Sequence, residues 1–335
     1  MPDATQDQDA SPVAGARPWE VAWQDSLYGP GGFYRHHAPA EHFVTSAQGL
    51  PGAGRILAEA VLALARTYGC RRVVDLGAGR GELLAQLRSL APDLHLTGVD
   101  VVPAPAALEV DRWLVSPGGA TLPDALEDLH DTLVLAHEWL DVVPCHVVER
   151  EEGTAAGWRS VLVTVDGDEH PGPAPVGPDL GWARRWLSPE VRRAEIGRSR
   201  DRAFADLLSR VRSGLVVVVD YGHTAEDRPR HGTLTGFRDG REVAPVPDGG
   251  CDLTAHVAFD SLAQEAGACR LTRQGAVLRE LVGDPTDPVP HHLASTDPQG
   301  YLAAVARRAA LTALTTRGGL GDFRWLLAPR RRSPA

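Results

Sequence analysis

Apolar positions between residues 72 and 136 come in short dense runs separated by polar, periodic stretches. Segments 72–76, 94–99 and 132–136 are such runs, with a weaker one at 112–115 and a fully apolar one, Leu-Val-Val-Val-Val, at 215–219. Runs this short, apolar on both faces, predict parallel strands covered by helices. Residues 56–68 carry helical apolar spacing and lead straight into the first run, and 82–89 reads as the helix between the first two. This alternation predicts an α/β fold, a doubly wound sheet whose ligands sit beyond the C-terminal ends of its strands.

The alternation breaks after residue 144. Segments 145–150 and 158–165 read as antiparallel strands around a turn at 151–157, a proline-rich loop fills 167–181, and 182–211 reads as arginine-rich amphipathic helices. The expected organisation is a disordered tail over 1–17, an N-terminal cap over 18–70 and a first half-sheet over 71–144. An inserted α+β segment over 145–213 and a second half-sheet over 214–330 complete it. An insertion at this place shapes a substrate site or forms a lid, or its charged helices serve as a solvated face or a homodimer contact. Residues 19–42 mix Tyr28, Phe33 and Tyr34 with glycine, proline and histidine, and read as an aromatic loop folded over another part of the protein.

Composition narrows the classes. The 335 residues carry a net charge of −10, which favours neither nucleic acid nor an anionic membrane surface. No apolar run predicts membrane insertion, and the acidic, Gln- and Ala-rich start lacks a secretory pattern, so a cytoplasmic protein is the expectation. Cys70, Cys145, Cys251 and Cys269 are too scattered for a disulfide framework or zinc ribbon. His36, His37 and His42 read as surface or packing groups, and no metal site is expected. All 34 basic residues are arginine, and asparagine is absent too, which excludes lysine Schiff-base and P-loop chemistry.

The chemistry begins at the first strand. Asp75 precedes glycines at 77, 79 and 81, and Asp100 stands nineteen positions beyond Gly81 at the end of the next strand. Glycines there let backbone N–H groups approach a ligand at a helix N-terminus, and an acid on the neighbouring strand suits both hydroxyls of a ribose. The dinucleotide fingerprint G-x-G-x-x-G would need glycine at position 82, where Glu82 stands. The acid-x-G-x-G-x-G form resembles instead the S-adenosylmethionine (SAM) site of class I methyltransferases, with Asp75 on the side of the ammonium group.

A second constellation, His137-Glu138-Trp139-Leu140-Asp141-Val142-Val143-Pro144, follows the 132–136 run. On a helical turn Glu138 and Asp141 share a face, where two carboxylates can receive a guanidinium; as an alternative, Asp141 caps a helix. With Asp220-Tyr221-Gly222-His223, Gly232-Thr233-Leu234-x-Gly236, Asp252-Leu253-Thr254-Ala255-His256-Val257 and the upstream Phe43-x-Thr45-Ser46, the chain resembles the MidA-like SAM-dependent methyltransferases from about residue 28 to 327.

That resemblance implies a class I methyltransferase (Rossmann-like) fold, SAM as cofactor and a protein substrate offering an arginine acceptor; mitochondrial members of the family are associated with respiratory complex I assembly. Cofactor-binding candidates are Asp75, Gly77, Gly79, Gly81, Asp100 and Val101, with Thr45 and Ser46 closing from the cap. Catalytic candidates are Glu138, Asp141 and His137. His223 and His256 are candidates for proton transfer or structural hydrogen bonding, and Tyr221 for stacking on adenine or core packing. The chain departs from the family at His137, where Asn is usual, at Glu41-His42-Phe43 in place of Gly-Asp-Phe, and at Ala47-Gln48 in place of Pro-Glu. A small-molecule methyltransferase and a catalytically degenerate assembly factor are the alternatives.

Overall fold

A computed structural model describes residues 14–36, 50–153 and 156–331. Its centre is a seven-stranded sheet whose strands, numbered along the chain, are β1 (Arg72–Leu76), β2 (His95–Asp100), β3 (Arg112–Val115), β4 (Thr132–His137), β5 (Gly214–Asp220), β6 (Arg270–Arg273) and β7 (Arg324–Arg330). They lie in the order β3-β2-β1-β4-β5-β7-β6. β1 to β5 pair in parallel, and β7 runs antiparallel to both its neighbours. The strand order reverses between β1 and β4, which opens a crevice at their C-terminal ends.

The apolar runs form this sheet because successive side chains point to opposite faces. Leu215, Val217 and Val219 of β5 pack into one core with the helix Ala53–Thr67, while Val216 and Val218 join another with Phe204 and Leu207 of the helix Arg198–Arg210. Every residue of β5 is buried, and each such valine or leucine contributes about 1.5–3 kcal/mol. The helix Arg198–Arg210 is therefore the crossover that carries the chain from β4 to β5.

Ahead of that crossover the chain builds a second sheet. His146–Arg150 and Trp158–Val163 pair antiparallel, as their alternation predicts, and Arg193–Ile196 adds to His146–Arg150 from the other side. That last strand corrects the reading of 182–211 as helices throughout: residues 182–186 and 198–210 are helical, but Arg192 and Arg193 disguise a buried Ala194-Glu195-Ile196 between them. The expectation of an aromatic loop over 19–42 is corrected too. Trp19–Tyr28 is a helix whose Trp19, Ala22, Trp23 and Leu27 stripe packs on Val147, Val161 and Val163 of the second sheet. A short helix, Phe33–His36, follows it. This segment does fold over another part of the protein, because Tyr28 and Tyr34 reach the crevice at β1 and β4.

Candidate active site

The sharp turn after β1 depends on glycine. Gly77, Gly79 and Gly81 have φ of 77°, 59° and 81°, a region that side-chain-bearing residues rarely occupy. At Gly81, which opens the helix Glu82–Leu90, a Cβ would lie 2.3 Å from a Leu108 methyl carbon. The turn is pinned to β2 on both sides: Gly77 N–H donates to the Val99 carbonyl at 2.9 Å, and Gly79 N–H donates to Asp100 Oδ2 at 2.8 Å.

Around the turn lies a cavity of about 420 Å³, within the range of small-molecule and cofactor sites. Asp75, Gly77, Gly79, Asp100, Val101, His137, Glu138 and Asp141 all line it, so one space gathers both sequence constellations. Leu76, Leu83, Val99 and Val102 give it an apolar wall, and Tyr28 and Tyr34 close it from the N-terminal segment. Tyr28 approaches closely only because position 118 is glycine; a Cβ there would meet its ring at 2.2 Å. Gly81 shapes the turn from behind and is not among the lining residues. Thr45 and Ser46 lie outside the described residues.

Burial sets the electrostatics. It pushes the Asp75 carboxyl up to about 7, helped by the negative charges of Asp100 and Glu82. Asp100 is pushed up to about 6 by burial, partly offset by the N–H donors of Gly79, Val102 and Val101. Burial holds His137 down at about 4, so the imidazole is neutral and its 3.5 Å contact with Glu138 Oε1 is not an ion pair. An acidic, half-apolar well of this kind stabilises a cationic ligand. The residues fit SAM: anchored carboxylate oxygens at Asp100, a glycine turn open to close approach of a ligand, and acids beside apolar walls.

Glu138, the first residue after β4, has φ of 52°, a strained value for a residue with a side chain, and its N–H donates to the Val219 carbonyl at 2.8 Å. Asp220, fully buried at the end of β5, accepts from the N–H groups of Leu140 and Asp141 at 3.0 and 3.1 Å. Asp141 does not cap a helix, since none lies between β4 and the strand His146–Arg150; Thr254 donates to its Oδ2 at 2.8 Å. Its Oδ1 is buried and meets no hydrogen-bond partner among the described residues. Burial raises Asp141 and Asp220 alike, and the negative charge of Asp141 raises Asp220 further.

Other candidates lie elsewhere. Tyr221 packs on Phe323 with ring centres 4.1 Å apart and stacks beside His256, so it serves the core and is not part of the cavity lining. His223 and His256 are likewise outside the lining. Sequence reasoning passed over Arg200, which is buried beneath the Glu138–Asp141 loop. Its signal was position: Arg200, Phe204 and Leu207 share the buried stripe of their helix.

Fold and site together define a SAM-binding domain of the methyltransferase type. A family model described as a putative S-adenosyl-L-methionine-dependent methyltransferase matches residues 54–277, more than half of the chain. The chain belongs to that family, and SAM is the family's cofactor. Among curated relatives it is 34% identical over 145 residues to the mitochondrial protein arginine methyltransferase NDUFAF7 of Danio rerio, covering 41% of this chain and 32% of the relative. It is 30% identical over 233 residues to NDUFAF7 of Mus musculus, covering 58% of this chain and 52% of the relative. The chain thus matches only a third to a half of these relatives' lengths. A Burkholderia thailandensis protein crystallised with S-adenosyl-homocysteine superposes with a TM-score of 0.76 at 21% identity, over 96% of this chain and 89% of that one, which establishes the shared fold. No helix of the described residues is long and apolar enough to cross a membrane.

Proposed function

We propose that this protein is a SAM-dependent methyltransferase whose acceptor is the guanidinium of an arginine in a partner protein. The observation that carries the reading is the placement of Glu138 and Asp141, two buried carboxylates, on the wall of the cavity formed by the glycine turn. SAM, when bound, supplies an electrophilic methyl group.

The chain's own residues do the rest by positioning. Asp100 holds ribose hydroxyls, its carboxylate already oriented by Gly79 and Val102. Asp75 faces the ammonium side, and Gly77 and Gly79, whose N–H groups are spent on Val99 and Asp100, let the ligand approach the backbone there. An arginine side chain arrives charged, because its pKa exceeds about 12. Glu138 and Asp141 bind that charge, the open Oδ1 of Asp141 accepts a guanidinium N–H, and the proton displaced from the methylated nitrogen leaves to water. His137, neutral, orients Glu138. The arginine preference is supported by the names of the NDUFAF7 relatives.

Incubating the purified protein with methyl-labelled SAM and an extract of its host tests the reading. Methylarginine in digested protein is the expected product, lost with Glu138→Gln. Label confined to small metabolites overturns the protein acceptor in favour of a metabolite methyltransferase. No SAM binding at all returns the degenerate assembly factor.

A further inference from the structure

We propose that Arg200 is the positioning residue of the acceptor site: its guanidinium clamps the loop that carries Glu138 and Asp141 to the loop at 255–256. Arg200 is only 1% exposed, yet among the described residues its hydrogen bonds go to backbone carbonyls and not to a carboxylate. Nη2 donates to the Asp141 carbonyl at 2.6 Å and Nε to Val143 at 3.1 Å. Nη1 donates to Ala255 at 3.0 Å and His256 at 2.9 Å. The two loops also meet directly, through Ala255 N–H to the Asp141 carbonyl at 3.1 Å.

The arrangement is two-sided. Asp220 takes the N–H groups of Leu140 and Asp141, while Arg200 takes the carbonyls of Asp141 and Val143. The peptide groups of this loop therefore lie between a buried carboxyl and a buried cation, their dipoles aligned with both. Neighbouring carbonyls are held as well: Tyr28 OH donates to Val142 at 3.2 Å and Ser199 Oγ to Pro144 at 2.6 Å. Such over-determination is what a residue needs to stay at the φ of Glu138.

The guanidinium plane is suited to this task and an ammonium is not. Four carbonyls from two loops are met by a rigid fork with five N–H donors, whereas lysine offers three donors on a flexible stem. The guanidinium also lies 5.7 Å from the centre of the Trp23 ring, which ties the clamp to the N-terminal helix. That the clamped loop receives an acceptor rests on the arginine reading above; the clamp itself does not.

Hydrogen exchange and methyl transfer on the full chain test the proposal. In Arg200→Lys, amides at 140–143 and 255–257 should exchange at least tenfold faster, while the 77–81 turn and β5 keep their protection. SAM affinity should stay within threefold, and turnover of the probe N-acetyl-arginine amide should fall at least tenfold at unchanged SAM KM. Ethylguanidinium added to Arg200→Ala should restore protection to the same two loops. Unchanged exchange there, or loss spread evenly over the sheet, overturns the clamp. Should neither variant fold, the wild type decides: the two loops and the 198–210 helix must open with one common exchange rate, and separate rates overturn the clamp. If the wild type methylates no protein arginine while the exchange pattern holds, the arginine reading fails and the clamp stands.

Discussion

The backbone N–H of Gly79 donates to Oδ2 of Asp100 across 2.8 Å, joining the glycine turn to the tip of the neighbouring strand. Val102 N–H holds the other oxygen at 3.3 Å. The carboxylate is thus oriented, on the cavity wall, before any ligand arrives. Asp100→Ala should weaken SAM binding at least a hundredfold, since two hydrogen bonds to a charged group are worth about 1.5–3 kcal/mol each. Calorimetric titration checks this; affinity within threefold of wild type removes the cofactor assignment.

Acidity should control the same site. Asp75 and Asp100 are pushed up to about 7 and about 6, so both are ionised only above pH 7. Affinity for cationic SAM should fall as pH drops through 7 and then 6, by at least tenfold between pH 8 and 5.5. A flat profile contradicts it.

Stability runs the opposite way. Both acids have folded-state pKa values above the unfolded value of about 3.9, so between pH 4 and 7 the ligand-free fold holds more protons than the unfolded chain. Its stability declines as pH rises through that window. Asp75→Asn should stabilise the ligand-free protein at pH 8 by about 1–2 kcal/mol while weakening SAM binding, as thermal melts with and without ligand will report.

Glu138→Gln keeps the size of the side chain and removes its charge. Under the proposed function SAM affinity should stay within about threefold while methyl transfer falls at least a hundredfold, or about 2.7 kcal/mol. Equal losses in both would make Glu138 a cofactor residue.

His137 is held at about 4, neutral throughout the working range, and serves as a single hydrogen-bonding partner. His137→Asn should therefore retain at least a third of the transfer rate, with no new inflection between pH 6 and 9. A shifted pH profile assigns it a proton-transfer role instead.

The central sheet and the glycine turn were legible in the chain because local rules govern them. Burial on both faces demands continuous apolar runs such as 215–219, and a left-handed backbone at 77, 79 and 81 demands glycine. The helix Trp19–Tyr28 and the strand Arg193–Ile196 were not legible, because their partners lie more than a hundred and about fifty positions away and their glycine- or arginine-rich surroundings mask the apolar stripe. Tyr221 shows the same limit: only packing on Phe323 tells a core ring from an adenine platform. Sequence order alone brought Asp75, Asp100, Glu138 and Asp141 to the ends of neighbouring strands. The conformation of Glu138, the anchoring of its loop by Asp220 and the burial of Arg200 among four carbonyls came from tertiary contacts, since hydrogen bonds between residues 55 to 80 positions apart leave no periodicity in a sequence.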